Sequence, residues 1–182
     1  EIEEEIARRC RKAGIPLVGP NCLGVINPKD KVRLNASFSA RMPKTGNISF
    51  ISQSGALCTA VLDFAADMGV GFSKFISTGN KADVDELDLL KYLHKDADTD
   101  VIMMYLEQLK RGGQEFVETV REITSGKNPT PILAIKSGRT GAGAAAASSH
   151  TGSIAGSEGV YDAIFAETGI IRVESVNELF DY

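Results

Sequence analysis

Apolar and polar positions fall into two alternating periods along this chain, and the alternation divides it into helices and strands. Residues 2–13 carry helical spacing that Gly14 stops, and a short apolar stretch at 16–18 runs into a turn at Gly19, Pro20 and Asn21. Residues 28–46 lack a strong period and carry Pro28, Pro43 and Gly46, so a linker is expected there, with one short strand near 32–34. A repeating unit then begins. Strands are predicted at 47–51, 72–76, 101–106, 132–135 and 170–173, and helices at 54–68, 84–93, 114–124 and 158–167, with a last helix starting after Ser175. In the first of these helices Leu57, Val61, Phe64 and Met68 fall at i, i+4, i+7 and i+11, the expected buried face. In the next, Leu87 and Leu90 mark the buried stripe and Asp83 is the expected N-cap. The apolar run at 101–106 suits a central parallel strand covered on both faces.

Strands spaced by helices of this length imply βαβ units. The expected fold is α/β, a flavodoxin-like doubly wound parallel sheet from about residue 46 to residue 182. Such sheets bind ligands beyond the C-terminal ends of their strands. That rule singles out residues 52–55, residues 77–81, Glu107 and the segment 138–156.

Composition narrows the class. With 182 residues and 43% hydrophobic content, the chain suits one packed domain with some extra, or two small ones. A net charge of −4 offers nothing to nucleic acid or an anionic membrane surface, and no apolar run approaches the roughly 20 residues that span a bilayer. Cys10, Cys22 and Cys58 are odd in number and lack metal-ligand spacing, which fits a reducing cytoplasm and no metal site. The opening EIEEEIARRC has no start Met and reads as mid-helix, so the chain is expected to be a fragment of a longer polypeptide.

The chemistry concentrates on His150, inside GRTGAGAAAASSHTGSIAG at 138–156. Gly, Ala and Ser around one reactive side chain describe a mobile loop rather than a core element. Neutral imidazole is a nucleophile near pH 7, since its reference pKa is about 6.5. A nucleophile on such a tether suggests a group carrier, with Ser149, Thr151, Gly152 and Ser153 as small flanking donors; the bland alternative is a surface histidine without a role. Gly141, Gly143 and Ala146 match a dinucleotide fingerprint, but Gly152 breaks the helix it needs and no acidic residue follows at the right distance. The loop also lacks the Gly-Lys-Ser/Thr of a P-loop. Ser52, Gln53, Ser54 and Gly55 join a strand to a helix, where free N–H groups favour an anion by about 0.3–1 kcal/mol, up to ~2 when partly buried. A serine that merely caps the helix is the commoner use of such a tetrapeptide, and a nucleophile elbow fails because Ser52 stands where it needs glycine. Glu107, at the mouth of a central strand, could fix an imidazole tautomer or simply mark the strand end. His94, in LHKD at a helix C-terminus, complements the dipole.

Five segments together resemble the NDP-forming acyl-CoA synthetases of the succinyl-CoA synthetase superfamily, above all the α-type part of ADP-forming acetate–CoA ligases. They are GPNCLG at 19–24, ISQSGAL at 51–57, STGNKADVDELDLLKYL at 77–93, YLEQL at 105–109 and KSGRTGAGAAAASSHTGSIAG at 136–156. The resemblance implies that His150 is phosphorylated, that Glu107 orients it, and that the helix N-terminus at Ser52, Gln53, Ser54 and Gly55 holds the phosphate together with Ser149, Thr151 and Gly152 beside the histidine. It places Asn21 and Cys22 near the CoA thiol. It implies acyl-CoA + ADP + phosphate ⇌ acid + ATP + CoA, with CoA and a small acyl compound as substrates and no permanently bound cofactor. ADP, ATP and Mg would belong to an ATP-grasp partner, fused or separate. Residues 1–28 would be the C-terminal remnant of a CoA-binding Rossmann-like domain, 29–45 a linker and 46–182 the succinyl-CoA synthetase-like domain. With no ATP-grasp region present, the chain alone is expected to be inactive. The alternative is a non-catalytic regulatory domain of a protein acyltransferase fusion, with the enzymatic activity lost, which loss of the histidine would have favoured and the intact His150 argues against; a plain flavodoxin-like binding or assembly domain is a third reading.

Overall fold

Segments such as FSKFIS and ILAIK are buried at every position, and strands of that kind are stable only where a sheet is covered on both faces. The computed structural model, which describes residues 2–138 and 158–182, meets this demand with helices on each side of one sheet. Its elements in chain order are α1 (Ile2–Lys12), β1 (Gly24–Asn27), β2 (Leu34–Ser37), β3 (Thr45–Ser52), α2 (Gly55–Met68), β4 (Phe72–Ser77) and α3 (Glu86–His94). There follow β5 (Val101–Leu106), α4 (Gly113–Ser125), β6 (Ile132–Lys136), α5 (Glu158–Thr168), β7 (Ile171–Arg172) and α6 (Val176–Asp181). No helix among the described residues is long and apolar enough to cross a membrane.

The seven strands lie in the order β2-β1-β4-β3-β5-β6-β7. From β4 to β7 every pairing is parallel, and the five strands have the doubly wound order in which the second strand lies outside the first. Side chains that alternate along each strand feed two separate cores. Ile51, Ile76, Ile102, Met104 and Ile132 face α3, α4 and α5, whereas Phe50, Phe75, Met103, Leu133 and Ile135 face α2 and α6.

Three expectations change. The stretch expected as a linker folds as a hairpin: β2 pairs antiparallel with β1, and β1 pairs antiparallel with β4, so the sheet is mostly parallel rather than wholly so. The connection of residues 28–33 is too short for a parallel crossover. Gly24, at φ +121, lets β2 come so close that a Cβ there would overlap the Ala36 carbonyl. Next, α2 buries Cys58, Val61, Leu62 and Ala65, while Met68 is half exposed. The sheet beneath this helix already displays Phe50, Phe72 and Phe75, which leaves room for small side chains, and Phe64 packs instead on Phe180 of α6 at 5.2 Å. Lastly, the N-cap of α3 is Asp85, whose Oδ1 accepts from the amides of Leu87 and Asp88 in a capping box. Asp83 instead accepts the Leu17 amide at 3.1 Å and pairs with Arg11, and these two donors, the amide foremost, hold its carboxyl below the usual range.

Phe50 is fully buried and stacks 5.0 Å from Phe75. Phe50→Ala is expected to cost about 3–5 kcal/mol, seen as a lower denaturant midpoint at unchanged slope.

Candidate functional site

Between β3 and β5 the strand order reverses, and the connections leaving their C-terminal ends part to opposite faces, which opens a crevice. Gln53, directly after β3, spans it. Its amide donates to the Tyr105 carbonyl at 3.3 Å, and its side-chain Oε1 accepts from the amides of Glu107 and Gln108 at 2.7 and 3.1 Å. Ser54 caps α2, its hydroxyl accepting from the Leu57 amide, so the first turn of that helix opens into the crevice.

Two further turns close the opposite wall. Backbone bonds run from Asn80 to Pro20, Ala82 to Gly19 and Val84 to Leu17 at 2.9–3.1 Å. Gly79 sits at φ +52 where a Cβ would overlap the carbonyl oxygens of Pro20 and Asn21, so the turns touch backbone to backbone. Asn21, itself at φ +53, donates through Nδ2 to Asn80 Oδ1.

The resulting cleft holds about 1070 Å³. It collects Asn21, Cys22, Gln53, Ser54, Gly55 and Glu107, which sequence reasoning had chosen from three separate places, and Phe38 stands at its rim with 91% of its surface exposed. Ser52 lies beneath the cleft, fully buried, its hydroxyl donating to the Ser54 carbonyl and accepting from the Ser54 amide. His150, Ser149, Thr151 and Gly152 lie outside the described residues. His94 is away from the cleft, its Nδ1 2.9 Å from the Thr130 hydroxyl. Among the described residues no group of three or more His, Cys, Asp or Glu is placed to hold a metal ion.

Lys81 was missed as a residue, although the strand-end rule marked its loop. It adopts φ +56 and lines the cleft at 1% exposure. Its Nζ donates to Glu86 Oε2 at 2.7 Å and to the Gln108 carbonyl at 2.6 Å; burial pushes its pKa down and Glu86 pulls the other way. Removing one partner of such a buried pair costs about 3–5 kcal/mol. The segment 107–111 is held at each step. Glu86 Oε1 accepts the Lys110 amide, the Tyr161 hydroxyl accepts the Leu109 amide, and the Arg111 guanidinium bonds Asp85 and Asp88, the capping residues of α3. Lys136, which ends β6 opposite Leu106, is also buried; it lies 4.5 Å from the Tyr161 ring centroid, and burial lowers its pKa.

Comparison with known proteins agrees with this arrangement. Residues 45–182 match the succinyl-CoA ligase like flavodoxin domain. The ADP-forming 4-hydroxybutyrate–CoA ligase of Nitrosopumilus maritimus is 46% identical over all of this chain, which spans 27% of that protein. The α subunit of the ADP-forming acetate–CoA ligase I of Pyrococcus furiosus is 40% identical, again over all of this chain and 38% of the relative. The solved dinucleotide forming acetyl-coenzyme A synthetase 1 of Ca. Korarchaeum cryptofilum, in complex with phosphate and ADP, superposes with a TM-score of 0.90 at 43% identity, over 99% of this chain and 38% of that one. The chain thus spans roughly a quarter to two-fifths of the length of these proteins.

Beneath α2, the Cys58 thiol is fully buried, and burial pushes its pKa up to about 11 against the pull of the Ser52 and Ser77 hydroxyls. The unfolded thiol ionises first, near its ordinary 9.0, so stability falls as pH rises from there through the folded value. The loss amounts to about 2–3 kcal/mol. Denaturant midpoints compared across that range are expected to fall less for Cys58→Ala than for the native protein.

Proposed function

We propose, because this chain belongs to the family of succinyl-CoA ligase-like flavodoxin domains, that it is the phosphohistidine-carrying part of an ADP-forming acyl-CoA synthetase. The observation that carries the reading is the meeting, in one cleft, of the α2 N-terminus at residues 53–55 with Glu107 on the neighbouring strand end. Free amides at a helix start suit a phosphoryl group, and a carboxylate beside them suits an imidazole.

In the proposed sequence, a phosphate oxygen attacks the acyl-CoA carbonyl, the C–S bond breaks, and CoA leaves as its thiol. A His150 nitrogen attacks the phosphorus of the acyl phosphate; the P–O bond breaks and the acid departs as carboxylate. An oxygen of the ADP β-phosphate then takes the phosphoryl group from nitrogen, giving ATP and free His150. Glu107 holds the ring in the tautomer whose other nitrogen attacks. The Gln53 side-chain amide, the Ser54 hydroxyl and the Gly55 backbone amide present donors to the oxygens that carry the developing charge, over a floor set by Ser52, and Ser149, Thr151 and Gly152 flank the histidine. Asn21 and Cys22, on the opposite wall, border the CoA thiol.

Two other parts complete the reaction on this reading. CoA binds a Rossmann-like domain whose end is residues 1–28. ADP, ATP and Mg bind an ATP-grasp domain or subunit. The acyl substrate is small, and the compartment is the cytoplasm.

The full-length protein, with its ATP-grasp part, radiolabelled ATP and magnesium, is expected to retain acid-labile, alkali-stable label that His150→Ala abolishes. Glu107→Gln is expected to slow labelling about 10²-fold. No label on the native protein, with nucleotide binding intact, would leave a regulatory synthetase-like domain as the better account.

A further inference from the structure

Two side chains from different loops grip the peptide that carries Glu107. From the β3 side, Gln53 Oε1 accepts the amides of residues 107 and 108. From the β4 side, Lys81 Nζ donates to the carbonyl of residue 108 at 2.6 Å. Both polarities of this one turn are therefore held by side chains. The lysine reaches it only because residue 81 adopts a left-handed conformation, rare for a side chain of this size. Such conformations persist where the surroundings over-determine them and gather at functional sites. Here Ala82 and Asn80, on either side, are tied to Gly19 and Pro20. Glu86 neutralises the ammonium with one oxygen and accepts the Lys110 amide with the other, so a single buried carboxylate serves both ends of the same loop.

We infer that Lys81 is a positioning residue for Glu107: paired with Glu86, it fixes the Gln108 carbonyl and thereby the direction in which the Glu107 carboxylate meets its imidazole. The inference rests on the proposed phosphohistidine chemistry. Bonds from an ammonium are charge-assisted and short, which suits a clamp better than a neutral donor. A carboxylate that orients a ring must be held to well under an ångström, and a misplacement of about 1 Å can cost on the order of 10²-fold in rate. Lys81 touches no reacting atom in this account. Its effect passes through Glu107 alone.

The test is a double-variant cycle in the full-length protein with its ATP-grasp part. K81M/E86Q removes both buried charges together, and the side-chain carbonyl introduced by E86Q can still accept the Lys110 amide. The expected result is a drop of about 10- to 100-fold in the rate at which His150 takes label from ATP, with KM for the acyl-CoA nearly unchanged and the thermal midpoint showing a folded protein. Combined with E107Q, the pair is expected to add no further loss, because both act on one step. If K81M/E86Q fails to fold, K81Q/E86Q replaces it, which again leaves no lone buried charge, with the same slowing and the same lack of additivity expected. A native labelling rate in either folded variant, or losses that multiply with those of E107Q, would overturn the positioning role. A native protein that takes no label would overturn the carrier reading itself, which separates the two failures.

Discussion

The pairing of β3 with β5 is the constraint from which the rest of this molecule follows. Here the chain leaves β3 towards β4 on one side and leaves β5 towards β6 on the other, by helices on opposite faces, so the sheet's end is uncovered by its own connections. Gln53 converts that gap into a site. By bonding across it to the backbone of residues 107 and 108, the residue that leads into α2 also fixes the loop after β5. Helix start and carboxylate are thereby set at one distance by the register Ser52↔Tyr105 rather than by flexible loops.

Five buried polar residues around this point are satisfied locally. Ser52, Asp85, Glu86, Lys81 and Tyr161 are all buried, and each has a named partner in the segments around the cleft. An unpaired polar group in such a place would cost about 1–3 kcal/mol. The apolar residues lie further down the strands, in two cores on either face. Stability and chemistry thus occupy different levels of the same strands.

How much of this the sequence disclosed depended on length of pattern. The parallel strands were legible because uninterrupted apolar runs such as 101–106 have few other uses, and the strand-end rule then led to residues 52–55, 77–81 and Glu107 without any coordinates. The β1–β2 hairpin was not legible, since four-residue strands show too few periods and their pairing depends on Gly24 and on a neighbour far along the chain. The buried face of α2 was read only in part, Val61 being buried and Met68 not, because helical spacing ranks large residues first, whereas the aromatic surface below selects small ones. Lys81 escaped because a lysine in a polar loop reads as solvent-exposed; only the left-handed turn at that residue sends it inward. The histidine segment was the most informative in sequence, and it lies outside the described residues.

The contact between Gly79 and the carbonyls of Pro20 and Asn21 has a bearing on how this protein can vary. Three backbone bonds link the turn at 17–20 to residues 80–84, and the approach at Gly79 is backbone on backbone, with no side chain between to act as a spacer. A residue inserted in one turn would put all three bonds out of step unless a matching residue entered the other. Segments far apart in the chain therefore form one unit of inheritance, able to change in side chain but not, separately, in length.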